Sequence, residues 1–136
     1  MNNIIISLGS NTDQARNIML AVKMIGKMFP FAKFTEAIWT EPVGLKSEKF
    51  LNCLCHIKSD DSIATVEGHL KYIERCIGRT AENSMKGIIA IDIDILKFNE
   101  TRLHKGDWQR DYIQKLIKTH SQYNSDLSTK LILRVA

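Results

Sequence analysis

Apolar positions recur along this chain in two rhythms. Ile4-Ile5-Ile6-Ser7-Leu8 is a short β-branched run stopped by Gly9-Ser10-Asn11, which reads as a buried strand entering a turn. From Asp13 to Met28 the spacing changes: Ile18, Ala21, Val22, Ile25 and Met28 fall every three or four residues. That predicts a helix with one core-facing stripe, capped by Thr12 or Asp13 and ended by Pro30. Phe34 to Thr40 predicts a second strand, Glu41-Pro42-Val43-Gly44 opens a loop lasting to about Lys49, and Phe50 to Lys58 predicts a third strand. After the capping cluster Asp60-Asp61-Ser62, the residues Ile63, Val66, Leu70, Ile73 and Ile77 mark a second amphipathic helix that Gly78 terminates. Arg79 to Gly87 has no strong period and predicts an exposed, mobile loop, and Ile88 to Phe98 a fourth strand. Past Asn99 the pattern weakens; Trp108, Tyr112, Ile113 and Leu116 keep helical spacing within Trp108 to Thr119, and Leu131 to Val135 suits a strand or a helix end.

The order βαββαβ predicts an α+β fold of ferredoxin-like type: an antiparallel four-stranded sheet with both helices on one face, followed by a C-terminal helical extension. The opposite face is then left free for ligands. Side chains two apart on a strand share a face, so the faces are readable from the alternation. Ile91, Ile93 and Ile95 turn to the helices, which sends Asp92 and Asp94 the other way. Leu51, Cys53 and Cys55 likewise face the helices, which sends Phe50 and Asn52 to the side of the aspartates.

Two carboxylates at i and i+2 repel one another, and a hard divalent cation relieves that repulsion while leaving positions for water and phosphate oxygens. On the spacing alone a magnesium pair and the solvated face of an ordinary strand stand level. Phe50 and Asn52 taken alone suit a surface aromatic beside a turn-stabilising amide; on the same face as the aspartates they also suit a flat heterocycle, stacked on the ring and read at its edge by the amide.

Composition changes this picture little. The 136 residues, 44% hydrophobic and 25% charged, describe one domain over 1–136 able to bury its own core. No apolar run approaches the roughly 20 residues that span a bilayer, and the strand-like start does not resemble a secretory leader, so a cytoplasmic protein without a membrane partner is expected. Cys53, Cys55 and Cys76 are an odd number and read as reduced, buried thiols; His56 points away from the first two, which argues against zinc. The formal charge of +4 and pI near 9.0 permit an anionic ligand.

The ordered set Gly9-Ser10-Asn11, Thr40-Glu41-Pro42-Val43-Gly44, Phe50-Leu51-Asn52, Glu74 to Gly78-Arg79 and Ile91-Asp92-Ile93-Asp94-Ile95 resembles the 6-hydroxymethyl-7,8-dihydropterin pyrophosphokinases of folate biosynthesis. The resemblance runs from Met1 to about Asn99 and implies ATP- and magnesium-dependent transfer of pyrophosphate to the pterin hydroxymethyl group. It implies catalytic roles for Arg79, Asp92 and Asp94, with Asp92 and Asp94 holding two magnesium ions. Glu74, Ile95 and Arg110 would face the nucleotide, and Thr40, Val43, Phe50, Asn52 and Tyr112 would form the pterin pocket. Gly9-Ser10-Asn11 reads better as a turn and helix cap than as a ligand contact. Arg79 reads equally as a solvated loop charge, and Glu74 also as an exposed helix residue. The substrates expected are ATP and the hydroxymethyl-dihydropterin, with a monomer favoured.

The chain departs from that family on the phosphate side. Ile89 stands where an arginine is usual, the Pro-His segment after the fourth strand is absent, and so is the C-terminal Glu-Ile-Ala-Pro signature. Each cation lost from a charged transition state costs about 2.7 to 4 kcal/mol if nothing replaces it; Lys86, Lys105 and His104 are the candidates to do so. The departures admit a second function, a weak or inactive relative that binds a pterin or nucleotide as a regulator or partner subunit. An RNA-binding ferredoxin-like module fits poorly, because Asp92 and Asp94 would repel phosphates where stacking aromatics are expected, and no nucleic-acid partner is expected.

Overall fold

The computed structural model describes residues 1–42, 48–120 and 133–134. Strand β1 (Asn2–Ser10) leads into helix α1 (Gln14–Met28), then the short strands β2 (Lys33–Phe34) and β3 (Ala37–Thr40) and the long strand β4 (Phe50–Ser59). Helix α2 (Ile63–Ile77), the five-residue helix α3 (Ala81–Met85), strands β5 (Asp92–Phe98) and β6 (Thr101–Arg102), helix α4 (Asp111–His120) and strand β7 (Leu133–Arg134) complete it. They form an α+β unit around one sheet, ordered β6-β5-β1-β4-β3-β7, with β2 also on β4.

The sheet exceeds the four strands expected. Phe34 to Thr40 divides because Thr35 leaves the ladder, its N–H donating to Leu54 O and its Oγ1 accepting from Leu54 N–H, both at 2.9 Å. The added edge strands are two residues each, too short for a period to reveal, and β7 runs parallel to β3, so the sheet is not wholly antiparallel.

Both amphipathic helices form as their spacing requires. Ile18, Ala21, Val22 and Ile25 of α1 and Val66, Leu70 and Ile73 of α2 bury against Ile4, Ile6, Leu8, Leu51, Cys53, Cys55, Ile91, Ile93 and Ile95. Met28, placed on the same stripe, is 36% exposed at the helix end. Ser62 caps α2 by accepting from Thr65 N–H, and Gly78 closes it with φ of 119°, a left-handed conformation in which any Cβ is strained. Asp13 sits at the start of α1 without a side-chain cap bond.

The opposite face is only half open. A second apolar cluster lies there, Ile38, Leu54 and Leu96 beneath Trp108, Ile113 and Leu116 of the α4 region. The indole Nε1 of Trp108 donates to Leu96 O at 3.1 Å and Leu103 O at 3.0 Å, which fastens this cover to the sheet. The C-terminal helical extension is therefore a wall on the face expected to be free, and both sides of the sheet carry helix.

Two further expectations are corrected between α2 and β5. Arg79 to Gly87 is not all loop: Thr80 caps α3 through Asn83 N–H at 3.1 Å, a helix whose exposed positions leave no hydrophobic period. The fourth strand starts at Asp92 instead of Ile88, because Asn11 takes over the preceding backbone. Its side chain donates to Gly87 O and accepts from Ile89 N–H, both at 2.7 Å, and its own N–H donates to Ile89 O. Asn11 is thus a clamp across the sheet end, not a helix cap. Among the described residues no helix is long and apolar enough to cross a membrane.

Cys53 and Cys55 are free and buried, and burial pushes the Cys53 thiol up to about 12 and Cys55 also well up; Cys76, expected buried, is exposed on α2. A native-state titration with an aromatic disulfide reagent at pH 8 should modify Cys76 alone, with the other two reacting only after denaturant is added. Three fast thiols in the native protein would contradict the packing.

Candidate active site

The register of the three central strands lays out the site. Gly9 on β1 lies opposite Asn52 on β4 and opposite Asp92 on β5, so these three occupy one row across the sheet. Two strand spacings put Asn52 and Asp92 roughly 10 Å apart on the same face. Gly9 has no side chain to stand between them, and the row has a floor there. A Cβ at Gly9 would lie 2.8 Å from Asn52 Oδ1, so an alanine would displace the amide.

Around this floor is a cleft of about 190 Å³ lined by Thr40, Phe50, Asn52, Ile89, Asp92, Arg110 and Tyr112, among others. Asn52 is 6% exposed and its Nδ2 donates to Thr40 Oγ1 at 2.6 Å, which orients the amide. Tyr112 enters from the first turn of α4, and Arg110, just before it, is paired with Asp107 at 3.2 Å. Burial raises the Tyr112 hydroxyl above its ordinary range, although Arg110 works against the shift, so the ring stays neutral at physiological pH. One side of the cleft is thus aromatic and amide-bearing, the other acidic.

The acidic side rests on Glu74, which is buried under β5 and is not the exposed helix residue its sequence position also allowed. Its Oε2 accepts from Ile93 N–H at 2.7 Å, from Lys71 Nζ at 3.1 Å and from Arg79 Nη1 at 3.4 Å. Ile93 lies between Asp92 and Asp94, so this bond holds the strand at the point from which both carboxylates project. Arg79 Nη1 donates to Asp92 Oδ1 at 2.7 Å and Ile91 O at 3.3 Å, and Lys71 Nζ to Ile93 O at 3.1 Å and Asp94 Oδ1 at 3.5 Å. Arg79 is accordingly a half-buried ion-pair partner, not a solvated charge. For both cations burial opposes the charge, but the surrounding carboxylates outweigh it and hold each above its ordinary range.

Burial first, then the neighbouring Asp92, push the Asp94 carboxyl up to about 6, with Lys71 and His104 pulling the other way. Such crowding of two carboxyl groups is the strain a divalent cation relieves, and magnesium needs no more than one or two carboxylates of its own. Asp92 and Asp94 therefore fit such an ion by donor chemistry and by their mutual repulsion. Among the described residues no group of three or more His, Cys, Asp or Glu is arranged as a ready-made metal cage.

The expected site residues divide into those that converge and those that do not. Thr40, Phe50, Asn52, Asp92, Arg110 and Tyr112 share the cleft. Asp94, Arg79 and Glu74 form the charged cluster beside it, Glu74 below the surface. The Ile95 side chain is 3% exposed and packs on the helix side of the sheet. Val43 lies outside the described residues. Lys86 pairs with Glu82 at 3.4 Å on the exposed side of α3, while His104 is close enough to act on Asp94. Lys71 and Gly9 join the expected site residues; the sequence signal for Lys71 is its place one helical turn before Glu74 on α2.

Among protein-family models, that of 7,8-dihydro-6-hydroxymethylpterin-pyrophosphokinase matches residues 5–122. No curated protein matches the chain. Among solved structures, the crystal structure of a hydantoinase/carbamoylase family amidase from Burkholderia ambifaria aligns with 99% of this chain and 34% of its own, at 8% identity and a TM-score of 0.40. The chain spans about a third of that amidase's length, and a likeness at this level carries no argument.

The Asp94 shift has a definite sign. Between its ordinary 3.8 and about 6 the folded chain holds a proton that the unfolded chain has released, so this group's contribution to stability falls as pH rises through that window. Asp94→Asn should remove that slope and melt no lower than wild type above pH 6, in thermal melts from pH 4 to 8. A clear loss of stability at neutral pH would show that the ionised carboxylate is favoured by its surroundings.

Proposed function

Because the chain belongs to the 7,8-dihydro-6-hydroxymethylpterin-pyrophosphokinase family, we propose that it transfers the pyrophosphoryl group of ATP to the hydroxymethyl oxygen of 6-hydroxymethyl-7,8-dihydropterin. The observation that carries this reading is the two-sided cleft, an aromatic and amide side facing Asp92 across a glycine floor, with Asp94 in the charged cluster beside it. The strand order β5-β1-β4-β3 is read as a ferredoxin-like core to which β2, β6 and β7 are edge additions.

In this proposal the pterin ring stacks between Phe50 and Tyr112, and Asn52, oriented by Thr40, reads its edge. The cleft is smaller than the several hundred Å³ usual for a drug-sized ligand, which fits one flat bicycle inside it and the nucleotide along its acidic rim. Asp92 and Asp94 are the residues that would hold magnesium, which when bound would supply neutralisation of phosphate charge. Arg110, which lines the cleft, and Arg79, paired with Asp92, supply side-chain cations for the ATP phosphates. The substrate hydroxyl oxygen forms a bond to the β-phosphorus, the bond from that phosphorus to the α,β-bridging oxygen breaks, and AMP leaves while the hydroxyl loses its proton. Placement of the hydroxyl in line with that bond is the protein's main contribution, because this chemistry depends on positioning and charge stabilisation. Glu74 and Ile95 act in this scheme as positioning residues, one holding the strand and the other packing it on the helices.

Ile89 lines the cleft at a place where the resembled enzymes carry an arginine, and this favours a second reading, a relative that binds pterin or nucleotide with little turnover. Incubation of the protein with the hydroxymethyl-dihydropterin, ATP and magnesium separates the two. The proposal predicts AMP and the pterin diphosphate in equal amounts, lowered about 100-fold or more in Asp92→Ala. Ligand binding by calorimetry with no AMP above background at high protein concentration would establish the second reading instead.

A further inference from the structure

Lys71 lies between Glu74 and Asp94, beside the carboxylate pair. Its Nζ reaches Glu74 Oε2 at 3.1 Å, Ile93 O at 3.1 Å and Asp94 Oδ1 at 3.5 Å. An ammonium has three protons, and three acceptors take them. Two of those acceptors are fixed parts of the fold, a backbone carbonyl of β5 and a carboxylate that is only 6% exposed. The cation is therefore held in place before any ligand arrives.

Arg79 is held differently. Its one short bond is to Asp92 at 2.7 Å, and its bonds to Glu74 and Ile91 O are 3.4 and 3.3 Å long. Its guanidinium has five donors, so it can keep a hold on the strand while presenting others to a phosphate. Glu74, Asp92 and Asp94 set against Lys71 and Arg79 leave a single net negative charge in the cluster. One divalent ion already reverses that sign on the protein side, before any nucleotide phosphate is counted, and a second would have to settle beside the ammonium already seated on Asp94.

We propose that Lys71 is the built-in second cation of this site, so that the chain binds one divalent ion with its nucleotide where the family resemblance led us to expect two. The inference rests on the proposed pyrophosphokinase reading and concerns the metal content of that same site. In Lys71→Gln the side chain keeps polar groups but loses its charge, and the second position next to Asp94 opens. In Lys71→Arg the charge remains and the position stays closed.

Equilibrium dialysis against manganese(II) and a non-hydrolysable ATP analogue, with metal counted per chain as the excess on the protein side, tests this. Expected are one ion on the wild type, one on Lys71→Arg and two on Lys71→Gln, each shown to be folded by its melting curve. Two ions on the wild type, or one on a folded Lys71→Gln, would overturn the assignment and leave the pyrophosphokinase reading standing. No excess metal on the wild type would overturn both. The wild-type count is decisive against the assignment even if the glutamine variant does not fold.

Discussion

Everything on the acidic side of this molecule depends on the bond between the buried Glu74 carboxylate and the N–H of Ile93. A carboxylate taken out of water is tolerated only when its oxygens are bonded and its charge is met, and here Ile93, Lys71 and Arg79 do both. Removing one partner from such a buried arrangement costs about 3–5 kcal/mol, because what remains is an unpaired charge. The same bond ties α2 to β5 at the residue between Asp92 and Asp94. One side chain thus anchors a strand, seats two cations and sets the direction of two partly buried carboxylates.

The other side of the cleft follows from the absence of a side chain. Gly9 sits in register with both Asn52 and Asp92, and nothing larger fits against the Asn52 amide. The amide is in turn held by Thr40, and the row is closed from above by Tyr112 on a helix fastened through Trp108. The amide-bearing side and the acidic side are therefore separated by about two strand spacings on one sheet. In the proposed reading a substrate bound across the row would have its ring at one end and its reacting group near the other, the arrangement a transfer between two substrates needs.

Much of this was legible in the sequence because it is written in alternation. Ile91, Ile93 and Ile95 could face the helices only if Asp92 and Asp94 did not, and Leu51, Cys53 and Cys55 placed Phe50 and Asn52 by the same rule. The bounds of α2 followed from Ser62 and Gly78, whose chemistry is specific to helix ends. What stayed hidden depended on contacts distant in sequence. Asn11 was read as a local turn residue, yet its partners are Gly87 and Ile89. Leu54 and Leu96 are apolar on the face taken to be open, and only α4, far along the chain, explains them. The two-residue edge strands and the five-residue α3 are too short to carry any period. Nothing in the local pattern beyond its spacing from Glu74 marks Lys71, because the carboxylates it serves come from two different elements.

The central claim is that one cleft takes a flat heterocycle at Phe50, Asn52 and Tyr112 and a metal-bound triphosphate at Asp92 and Asp94. A crystal structure of the protein with 6-hydroxymethyl-7,8-dihydropterin, a non-hydrolysable ATP analogue and magnesium tests it most directly. The account predicts the pterin ring stacked between Phe50 and Tyr112, the hydroxymethyl oxygen directed at the β-phosphorus, and metal on the two aspartates. Phosphates bound away from Asp92 and Asp94, or a pterin outside the Gly9 row, would contradict it.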